Sequence, residues 1–265
     1  MTPFGVLEQA FTRIPLLAGA KAEDFDVSIM SGYTNQNFRI QDTDRDWVVR
    51  IPRDDTNAHI DRDAEAYNQA RASELGIAPL YLWRASDGLS ITPTLTASRE
   101  VTPADFDNDA ILRKIVNALQ LLHGSGRPFH GSQDLGELIS RYISMLPGVR
   151  QAQFQQRFER VHRILDNLQR RDSKVVPSHN DLVLENLLLD DSRLWLIDWE
   201  YSAMASPYWD LATLCNSARL SATQSRRLLK IYCAAAEPME EPTLFQYRQL
   251  LQLLNDCWMA AFAGN

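Results

Sequence analysis

The stretch Ser178-His-Asn-Asp-Leu-Val-Leu-Glu-Asn-Leu-Leu-Leu189 tells more about fold and chemistry than any other part of the chain. Within it, His179 and Asp181 are followed, five residues after the aspartate, by Asn186 and a short apolar run. Each polar residue alone would usually belong to a turn, because Asp and Asn side chains bond their own backbone. Together they form a His-x-Asp-x-x-x-x-Asn pattern, which predicts one functional loop carrying a carboxylate and a carboxamide.

A second apolar run, Leu194-Trp-Leu-Ile197, ends directly before Asp198, twelve residues beyond Asn186. In kinases with this layout, the first carboxylate accepts the proton of the attacking hydroxyl, and the carboxamide and second carboxylate hold Mg²⁺ on the phosphates of ATP. Magnesium prefers oxygen ligands, and a hydroxyl nucleophile needs an oriented proton acceptor. We therefore expect Asp181 to be the catalytic base and Asn186 and Asp198 to be metal ligands. We expect His179, in the same catalytic loop, to support the loop rather than to exchange protons.

The bulk composition narrows the class of protein. With 265 residues, 45% of them hydrophobic, the chain can bury a substantial core as one large domain or two lobes. A net charge of −7 without a block of Lys and Arg argues against a nucleic-acid partner. No apolar run reaches about 18 residues, and no basic region precedes an apolar core at the start, so we expect no membrane span and no signal peptide.

The cysteines point to a reducing compartment. There are three, an odd number, and none has Cys-x-x-Cys spacing, so neither a disulfide framework nor a zinc site is indicated. Their expected role is small apolar packing. These features predict a soluble, cytoplasmic protein, and they leave its oligomeric state open.

The first part of the chain has the pattern of short strands. Strands are predicted between residues 27 and 51 and at Leu80–Trp83 and Leu89–Thr92, with Asp87-Gly88 as the hairpin turn between the last two. Helices are predicted over residues 6–20 and 57–75, and Gly76 stands where a helix C-cap glycine belongs.

After about residue 95 the pattern becomes helical, except for the strands of the motif region at about 187–198. Helices are predicted over residues 110–123, 136–145 and 151–171 and over most of the chain from Tyr208 onward. The expected fold class is therefore α+β with two lobes. Residues 1–95 would form a small β-rich nucleotide-binding lobe, and residues 96–265 a larger helical lobe with the catalytic and acceptor-binding residues.

If the second lobe supplies the base and the metal ligands, the first lobe should hold the phosphates. Its candidate loop is Ser31-Gly-Tyr-Thr-Asn-Gln-Asn-Phe38, in which Gly32 permits close backbone approach. The side chains of Ser31, Thr34 and Asn35 add donors for phosphate oxygens. The loop matches neither of the common glycine-rich phosphate motifs, so alone it is a weak signal.

Two further parts of the first lobe are candidates for nucleotide contacts. The strand Trp47-Val-Val-Arg-Ile51 places Arg50 where a kinase needs a cation, and Glu65 on the following helix could orient that cation. The segment Ile91-Thr-Pro-Thr-Leu95, with Thr92 and Thr94, lies at the expected junction of the lobes, where it could bond the adenine edge.

These residues together resemble the choline/ethanolamine kinase branch of the aminoglycoside-phosphotransferase-like kinases, over nearly the whole chain. The matching segments are Gly32-Tyr-Thr-Asn-Gln-Asn37, Val49-Arg-Ile51, His179-Asn-Asp-Leu-x-x-x-Asn186, Ile197-Asp-Trp-Glu-Tyr201 and Trp258. The His179 pattern is shared by the wider superfamily. The Thr34-Asn-x-Asn37 segment, the sequence Asp198-Trp-Glu-Tyr201 and an Arg at the cation position look more like the choline kinase branch.

The resemblance implies a two-lobed protein-kinase-like fold and transfer of a phosphoryl group from ATP, with Mg²⁺, to a small-molecule hydroxyl. By resemblance, Asp181 is the base, Asn186 and Asp198 are the metal ligands, Glu65 is the partner of Arg50, and Asn37 belongs to the phosphate loop. At 265 residues the chain is shorter than eukaryotic choline kinases and looks more like the compact bacterial members, whose substrates are more varied.

The acceptor is predicted from the aromatic residues that follow the catalytic loop. Choline carries a quaternary ammonium without an N–H donor, so a site for it needs aromatic faces and nearby carboxylates. We expect Trp199, Tyr201 and Trp258 to supply the faces and Glu200 to add negative charge. Aromatic residues in a helical lobe more often build the core, which is the competing interpretation. Thiamine would suit such a site as well as choline or ethanolamine, and an aminoglycoside or an amino sugar stays possible.

Two other classes of protein are open at this point. A non-catalytic nucleotide-binding module could lose Asp181, Asn186 or Asp198, yet this chain has all three. A protein kinase is disfavoured, because there is no Asp-Phe-Gly and the short segment between Asp198 and Trp209-Asp210 leaves little room for an activation loop. In the kinase interpretation, Asp210 is expected to brace the catalytic loop.

Overall fold

The computed structural model describes residues 2–30, 32, 35–53, 60–171, 174–234 and 238–263. Two of the predicted phosphate-binding residues, Ser31 and Thr34, lie outside this part of the chain.

The first lobe is built on an antiparallel sheet. Its strands are β1 (Asp26–Met30), β2 (Asn35–Gln41), β3 (Asp46–Pro52), β4 (Trp83–Arg84) and β5 (Ser90–Pro93), in the order β1-β2-β3-β5-β4. Alternation along the strands turns Phe38, Ile40 and Val49 to one face, where all three are buried. They form a core with Leu7 and Phe11 of the first helix.

That first helix, α1 (Pro3–Phe11), is shorter than the predicted helix over residues 6–20. Thr2 caps its start by accepting a hydrogen bond from the Gly5 amide. The chain then makes a separate 3₁₀ turn, Pro15–Leu17. Proline cannot donate to a helix and disfavours helical geometry in the residue before it, so Pro15 prevents the helix from continuing.

The second helix, α2 (Arg62–Glu74), joins the small lobe to the site. Asp61 caps it by accepting hydrogen bonds from the Asp63 and Ala64 amides. The prediction that Gly76 follows its end is confirmed, since this residue has a φ of 73°, a conformation that favours glycine.

The hairpin of β4 and β5 turns at Asp87-Gly88 as predicted, and Gly88 has a φ of 92°. The predicted strand Leu80–Trp83 is wrong in its bounds, because β4 begins only at Trp83. Its partner β5 is short, and only Ile91 and Ser90 lie opposite β4 residues.

The larger lobe carries two small sheets within a helical frame. In the first sheet, β8 (Leu187–Leu189) lies between β6 (Arg99–Glu100) and β9 (Leu194–Leu196), and in the second, β7 (Val176–Ser178) pairs with β10 (Ala203–Ala205). The helices are α3 (Asp109–His123), α4 (Leu135–Ser144), α5 (Gly148–Arg171), α6 (Pro207–Ser217), α7 (Ala222–Cys233) and α8 (Glu241–Trp258), with a π-helical turn at Met259–Ala263. The predicted helices agree with α3, α4 and α5 to within a few residues.

The chain is therefore α+β, with a small β-rich lobe and a larger, mainly helical lobe, as the sequence predicted. The buried apolar residues form two clusters. The cluster of the small lobe contains residues between Leu7 and Ile91, and the cluster of the larger lobe contains residues between Ala72 and Cys257. The end of α2 thus packs into the core of the larger lobe, and the division at residue 95 stays a prediction. Among the described residues, no helix combines the length and the apolar character needed to cross a membrane.

Candidate active site

The catalytic loop lies between β7 and β8 and is braced by a buried carboxylate. Asp210, at the start of α6, accepts hydrogen bonds from the backbone amides of His179 (2.9 Å) and Asn180 (2.7 Å). His123 of α3 contacts the same carboxylate through Nε2 at 2.9 Å. Asn180 has a φ of 65°, a conformation that Asn tolerates better than most residues. The predicted bracing contact of Asp210 is confirmed.

His179 holds the two motif segments together. Its Nε2 lies 3.0 Å from the carbonyl oxygen of Ile197, and the Asp181 amide donates to its Nδ1 at 3.3 Å. The ring is completely buried, and burial lowers the pKa of His179 below its usual value. A neutral ring with its proton on Nε2 fits both contacts. The geometry therefore favours support of the loop over proton exchange.

Asp181 and Asn186 are joined by hydrogen bonds. The Asn186 side-chain nitrogen donates to the Asp181 carbonyl oxygen at 2.9 Å and to its carboxylate at 3.1 Å. Both bonds use Nδ2, so Oδ1 is the atom that Asn186 would offer to a cation. Burial, followed by the negative charge of Glu200, raises the pKa of Asp181 to about 7.

Asp198 lies two residues after the end of β9 and faces a guanidinium group from the small lobe. Arg50 donates from Nη2 to the Asp198 carboxylate at 2.9 Å. Asp198 has a φ of 63°, an uncommon conformation for a non-glycine residue that recurs at functional sites. Burial, together with the negative charge of Glu200, raises its pKa to about 8.

Arg50 is the centre of a buried ion-pair network that spans both lobes. Its other partners are Glu65 of α2, in contact with Nη1, and Glu200, whose Oε2 is 2.7 Å from Nη2. Burial alone would lower the pKa of Arg50, but the charges of Asp198, Glu65 and Glu200 raise it well above its ordinary value. A second guanidinium, of Arg62, donates to Glu65 at 2.8 Å. The structure thus brings Arg50 and Glu65 together as the sequence suggested.

Glu200 is bound by residues of the small lobe. Its carboxylate accepts hydrogen bonds from Arg50 and, at 3.2 Å, from the side chain of Asn35 in β2. Arg62 is 3.5 Å away. The expectation that Glu200 adds negative charge to the acceptor site stays a prediction, and its carboxylate is engaged by Asn35 of β2 and by two cations of the small lobe.

The charge around Asp198 suits a divalent cation. Carboxylate oxygens of Glu65, Asp198 and Glu200 lie within 4.8 Å of one another. With Asp181 they make four carboxylates against the two guanidinium groups of Arg50 and Arg62, so negative charge is in excess when all four are ionised. Magnesium prefers such oxygen ligands. From the predicted motif, the Asp198 carboxylate and the Oδ1 of Asn186 are the oxygens available as ligands.

We expect the stability of the metal-free protein to fall as pH rises from about 4 to 8. The folded pKa values of Asp181 (about 7) and Asp198 (about 8) lie above the ordinary value of 3.8, so folding favours their protonated forms. Their contribution is fully present below pH 3.8 and is lost as pH passes through the folded values.

Thermal melts in EDTA and in Mg²⁺ across this range measure the effect. Magnesium should raise Tm more at pH 8 than at pH 6, because a cation binds the deprotonated carboxylates. An equal shift at both pH values would contradict this assignment.

Aromatic side chains lie beside the catalytic loop. Tyr201 and Trp258 are both half-buried and share a side-chain hydrogen bond. Trp258 contacts Phe262, with ring centroids 5.7 Å apart, and Phe262 contacts Tyr142 of α4 at 5.8 Å. The charges of Asp181 and Glu200 both act on Tyr142. Sequence analysis did not select Tyr142 or Phe262, although Tyr142 lies on the apolar face of α4 and so could have been noticed.

Trp199 belongs to the core rather than to this aromatic wall. Its side chain is 0% exposed and packs against His179 and Phe129, with ring centroids 4.6 Å and 6.0 Å away. Its indole N–H donates to the carbonyl oxygen of Leu196 at 3.0 Å. The prediction that Trp199 contacts the acceptor is corrected, because no face of the ring is accessible.

The predicted phosphate loop is tightly folded where it is described. A Cβ atom on Gly32 would lie 2.5 Å from the Asn35 carbonyl oxygen and 2.8 Å from the Asn37 side chain, so only glycine fits there. Asn37 lies opposite Arg50 in the pairing of β2 with β3. The side chains of Asn37 and Arg50 therefore lie on the same face of the sheet, the face that carries the ion-pair network.

The lobe junction gives less support to the predicted adenine contacts. Thr92 pairs with Val48 within the sheet. The backbone amide of Thr94 donates to the Asp46 carbonyl oxygen at 2.9 Å, so this amide is engaged in the sheet. Contacts of Thr92 and Thr94 with adenine stay predictions.

Comparison with known proteins gives the family. The sequence model of the phosphotransferase enzyme family (APH) matches residues 27–250, and the chain belongs to this family. It is 32% identical to Protein LicA of Haemophilus influenzae over 211 residues. That match covers 78% of this chain and 62% of the relative, so the chain spans less than two thirds of that relative's length.

Solved structures have the same architecture. A choline/ethanolamine kinase family protein from Mesorhizobium loti superposes with a TM-score of 0.80 at 25% identity, covering 97% of this chain and 85% of that one. Choline kinase LicA from Streptococcus pneumoniae superposes with a TM-score of 0.81 at 24% identity, covering 98% and 90%. The protein-kinase-like fold predicted from the resemblance is confirmed.

Proposed function

We propose that this member of the phosphotransferase enzyme family transfers the γ-phosphoryl group of ATP to the hydroxyl group of a cationic amino alcohol, most readily choline or ethanolamine. The observation that carries the proposal is the arrangement of the motif residues. Asn186 is hydrogen-bonded to Asp181, the Ile197 amide donates to the Asn186 carbonyl oxygen at 3.1 Å, and Asp198, the residue after Ile197, binds Arg50. This set supplies a proton acceptor, oxygen ligands for a cation and a positive charge for phosphates.

The small lobe supports ATP as the donor. The Nε atom of Arg50 is a buried N–H for which the described residues provide no acceptor. A buried donor without a partner is costly, and a phosphate oxygen would satisfy it. Gly32 packs against Asn35 and Asn37 of β2, and Asn37 lies opposite Arg50, so the backbone amides of this segment could approach the same phosphates.

The chain's own groups account for the chemistry. Asp181 would orient the acceptor hydroxyl and take its proton as the oxygen attacks the γ-phosphorus. His179 and Asp210 hold the loop so that this carboxylate points into the cleft. Holding the reactants in line accounts for much of the rate in phosphoryl transfer, because little covalent chemistry is left to the protein.

Magnesium is part of the proposal. Asp198 and the Oδ1 of Asn186 would hold it, and when bound it neutralises the charge that develops on the phosphates. The excess of carboxylates over guanidinium groups around Asp198 supports this role.

The acceptor is proposed from the aromatic wall and from the relatives. Tyr142, Tyr201, Trp258 and Phe262 lie next to one another near Asp181, which suits an alcohol that carries a permanent cation. A structural neighbour is a choline kinase, and another belongs to the choline/ethanolamine kinase family. Thiamine has the same chemical features, so it is the nearest alternative. A cytoplasmic location is included in the proposal, because ATP is the phosphoryl donor.

Replacing Trp258 with Ala should raise KM for choline roughly 10- to 30-fold, because a desolvated cation–π contact is worth about 2 kcal/mol. KM for ATP should change little, since Trp258 lies on the acceptor side. Initial rates with varied choline and varied ATP measure both constants. Phe245→Ala on the same helix is the matched control, because Phe245 is exposed. Equal effects of the two variants on choline would contradict the placement of the acceptor.

The reaction is tested by ADP formation from ATP and Mg²⁺ with choline, ethanolamine, thiamine, an aminoglycoside and an amino sugar as separate acceptors. We expect turnover with choline or ethanolamine that disappears in Asp181→Asn. Turnover with another acceptor would agree with the proposed mechanism but would contradict the proposed substrate. ATP binding without turnover on any of them would contradict the proposed transfer to an amino alcohol.

A further inference from the structure

One buried amide on α2 connects the two lobes. Asn68 is completely buried and follows Glu65 by three residues, so both side chains lie on the same face of the helix. Glu65 reaches Arg50 in the small lobe, whereas Asn68 reaches only backbone and one hydroxyl of the larger lobe. A single helical turn thus carries one contact to each lobe.

The amide of Asn68 bonds two separate segments of the larger lobe. It accepts from the His130 amide at 2.8 Å and donates to the His130 carbonyl oxygen at 3.1 Å. It also donates to the Ser202 carbonyl oxygen at 3.0 Å and to the Ser202 hydroxyl at 3.2 Å. Stacking of Tyr67 on the His130 ring, with centroids 3.7 Å apart, supports the same contact.

Together with the ion-pair network, these contacts form a closed circuit of interactions that runs from α2 to the turn at Ser202 and back, called the ring of contacts below. Ser202 ends the turn that begins at Trp199, since its amide and hydroxyl both donate to the Trp199 carbonyl oxygen, at 3.0 Å and 2.6 Å. Glu200 lies within this turn and binds Arg50, which binds Glu65 on α2. Asn68 then returns from α2 to Ser202. The register of α2 relative to the turn is therefore fixed at two points.

We infer that Asn68 is a positioning residue for nucleotide binding, which rests on the proposed function. It holds α2 so that Glu65 binds Nη1 and Glu200 binds Nη2 of the same guanidinium group, and Arg50 meets the phosphates in a single orientation. Loss of the amide would let α2 shift against the turn while Glu65, Arg50 and Glu200 all remain in the chain.

The test compares Asn68→Ala with Gln69→Ala. Gln69 is the matched control, because it is also buried on α2 and its amide donates to the Pro79 carbonyl oxygen outside the ring of contacts. We expect Asn68→Ala to lower the affinity for Mg·ATP and kcat/KM for ATP roughly 10- to 100-fold, as a small misplacement can do. Gln69→Ala should change both by less than about threefold, and Tm of both variants reports lost stability.

A double-mutant cycle separates positioning from general destabilisation. If Asn68 acts through Glu65, then Asn68→Ala should have little further effect on nucleotide affinity in a Glu65→Gln background. Additive effects, or equal losses in the Gln69 control, would overturn the inference. Should Asn68→Ala fail to fold, Asn68→Asp keeps the acceptor for the His130 amide and removes the donors, so the same loss is expected.

Nucleotide affinity is measured by titration with ATP and Mg²⁺ without any acceptor. The outcome is then independent of the alcohol substrate. A weakened affinity in Asn68→Ala, together with no turnover of any tested alcohol by the parent protein, would support the positioning role while contradicting the proposed substrate. Unchanged affinity with normal turnover would contradict the positioning role alone.

Discussion

Replacing Asp181 with Asn is expected to lower kcat by about 10²- to 10⁴-fold, the usual contribution of a positioned general base. Asparagine keeps the size of the side chain but cannot accept the hydroxyl proton. The affinity for ATP should change little, because the proposed partner of Asp181 is the acceptor hydroxyl and not the nucleotide. Initial rates and a separate nucleotide titration measure the two quantities.

Asp191→Asn is the control for this prediction. Asp191 is an exposed carboxylate in the turn after β8, and the contact it makes there uses its backbone carbonyl oxygen. We expect its turnover to match the parent protein. Turnover of Asp181→Asn at the parent level would show that another group takes the proton, and the mechanism would then be wrong.

Replacing Asp198 with Asn is expected to weaken Mg²⁺ binding and to lower kcat/KM by about 10²-fold or more, because charge neutralisation by a bound cation is worth several kcal/mol. Binding of Mn²⁺ in place of Mg²⁺, followed by electron paramagnetic resonance, gives a readout that does not depend on turnover. The site should bind this ion much more weakly in the variant.

Glu65→Gln is the matched control here, because it also removes a carboxylate partner of Arg50. If Asp198 acts as a metal ligand, Glu65→Gln should weaken nucleotide binding but leave most of the Mn²⁺ affinity intact. Equal loss of Mn²⁺ in both variants would indicate that general charge, rather than ligation by Asp198, holds the cation.

The sequence allowed much of the fold to be predicted because its decisive signals are local. Apolar alternation predicted the strands, and helical periodicity predicted α3 and α5. The glycine at position 76 predicted the end of α2. The spacing of the His179 motif and Asp198 predicted that these residues serve one site. In the structure His179 joins the two segments by contacting the Ile197 carbonyl oxygen.

The direction of two neighbouring side chains could not be predicted. Trp199 and Glu200 both follow Asp198 and suited an acceptor site by residue type. In the structure Trp199 is enclosed by His179 and Phe129, and Glu200 turns to Arg50. The tight turn that ends at Ser202 decides which way each side chain points, and its geometry depends on tertiary contacts.

Asn68 could not be found from sequence for a related reason. Its partners, His130 and Ser202, lie 62 and 134 residues further along the chain. A lone Asn within a charged and Ala-rich helix has no neighbour that marks it. Tyr142 differs, because its place on the apolar face of α4 can be read from the sequence, but its packing against Phe262, which also contacts Trp258, is visible only in the structure.

Direct transfer to the alcohol oxygen is tested most directly with ATP whose γ-phosphoryl group carries three ¹⁸O atoms in its non-bridging positions. After reaction with choline and Mg²⁺, the product is examined by mass spectrometry. The account predicts phosphocholine that retains all three labelled oxygens, because the choline hydroxyl attacks phosphorus and the bond to ADP breaks. Labelled inorganic phosphate with unmodified choline would contradict it, since water rather than the alcohol would then be the acceptor.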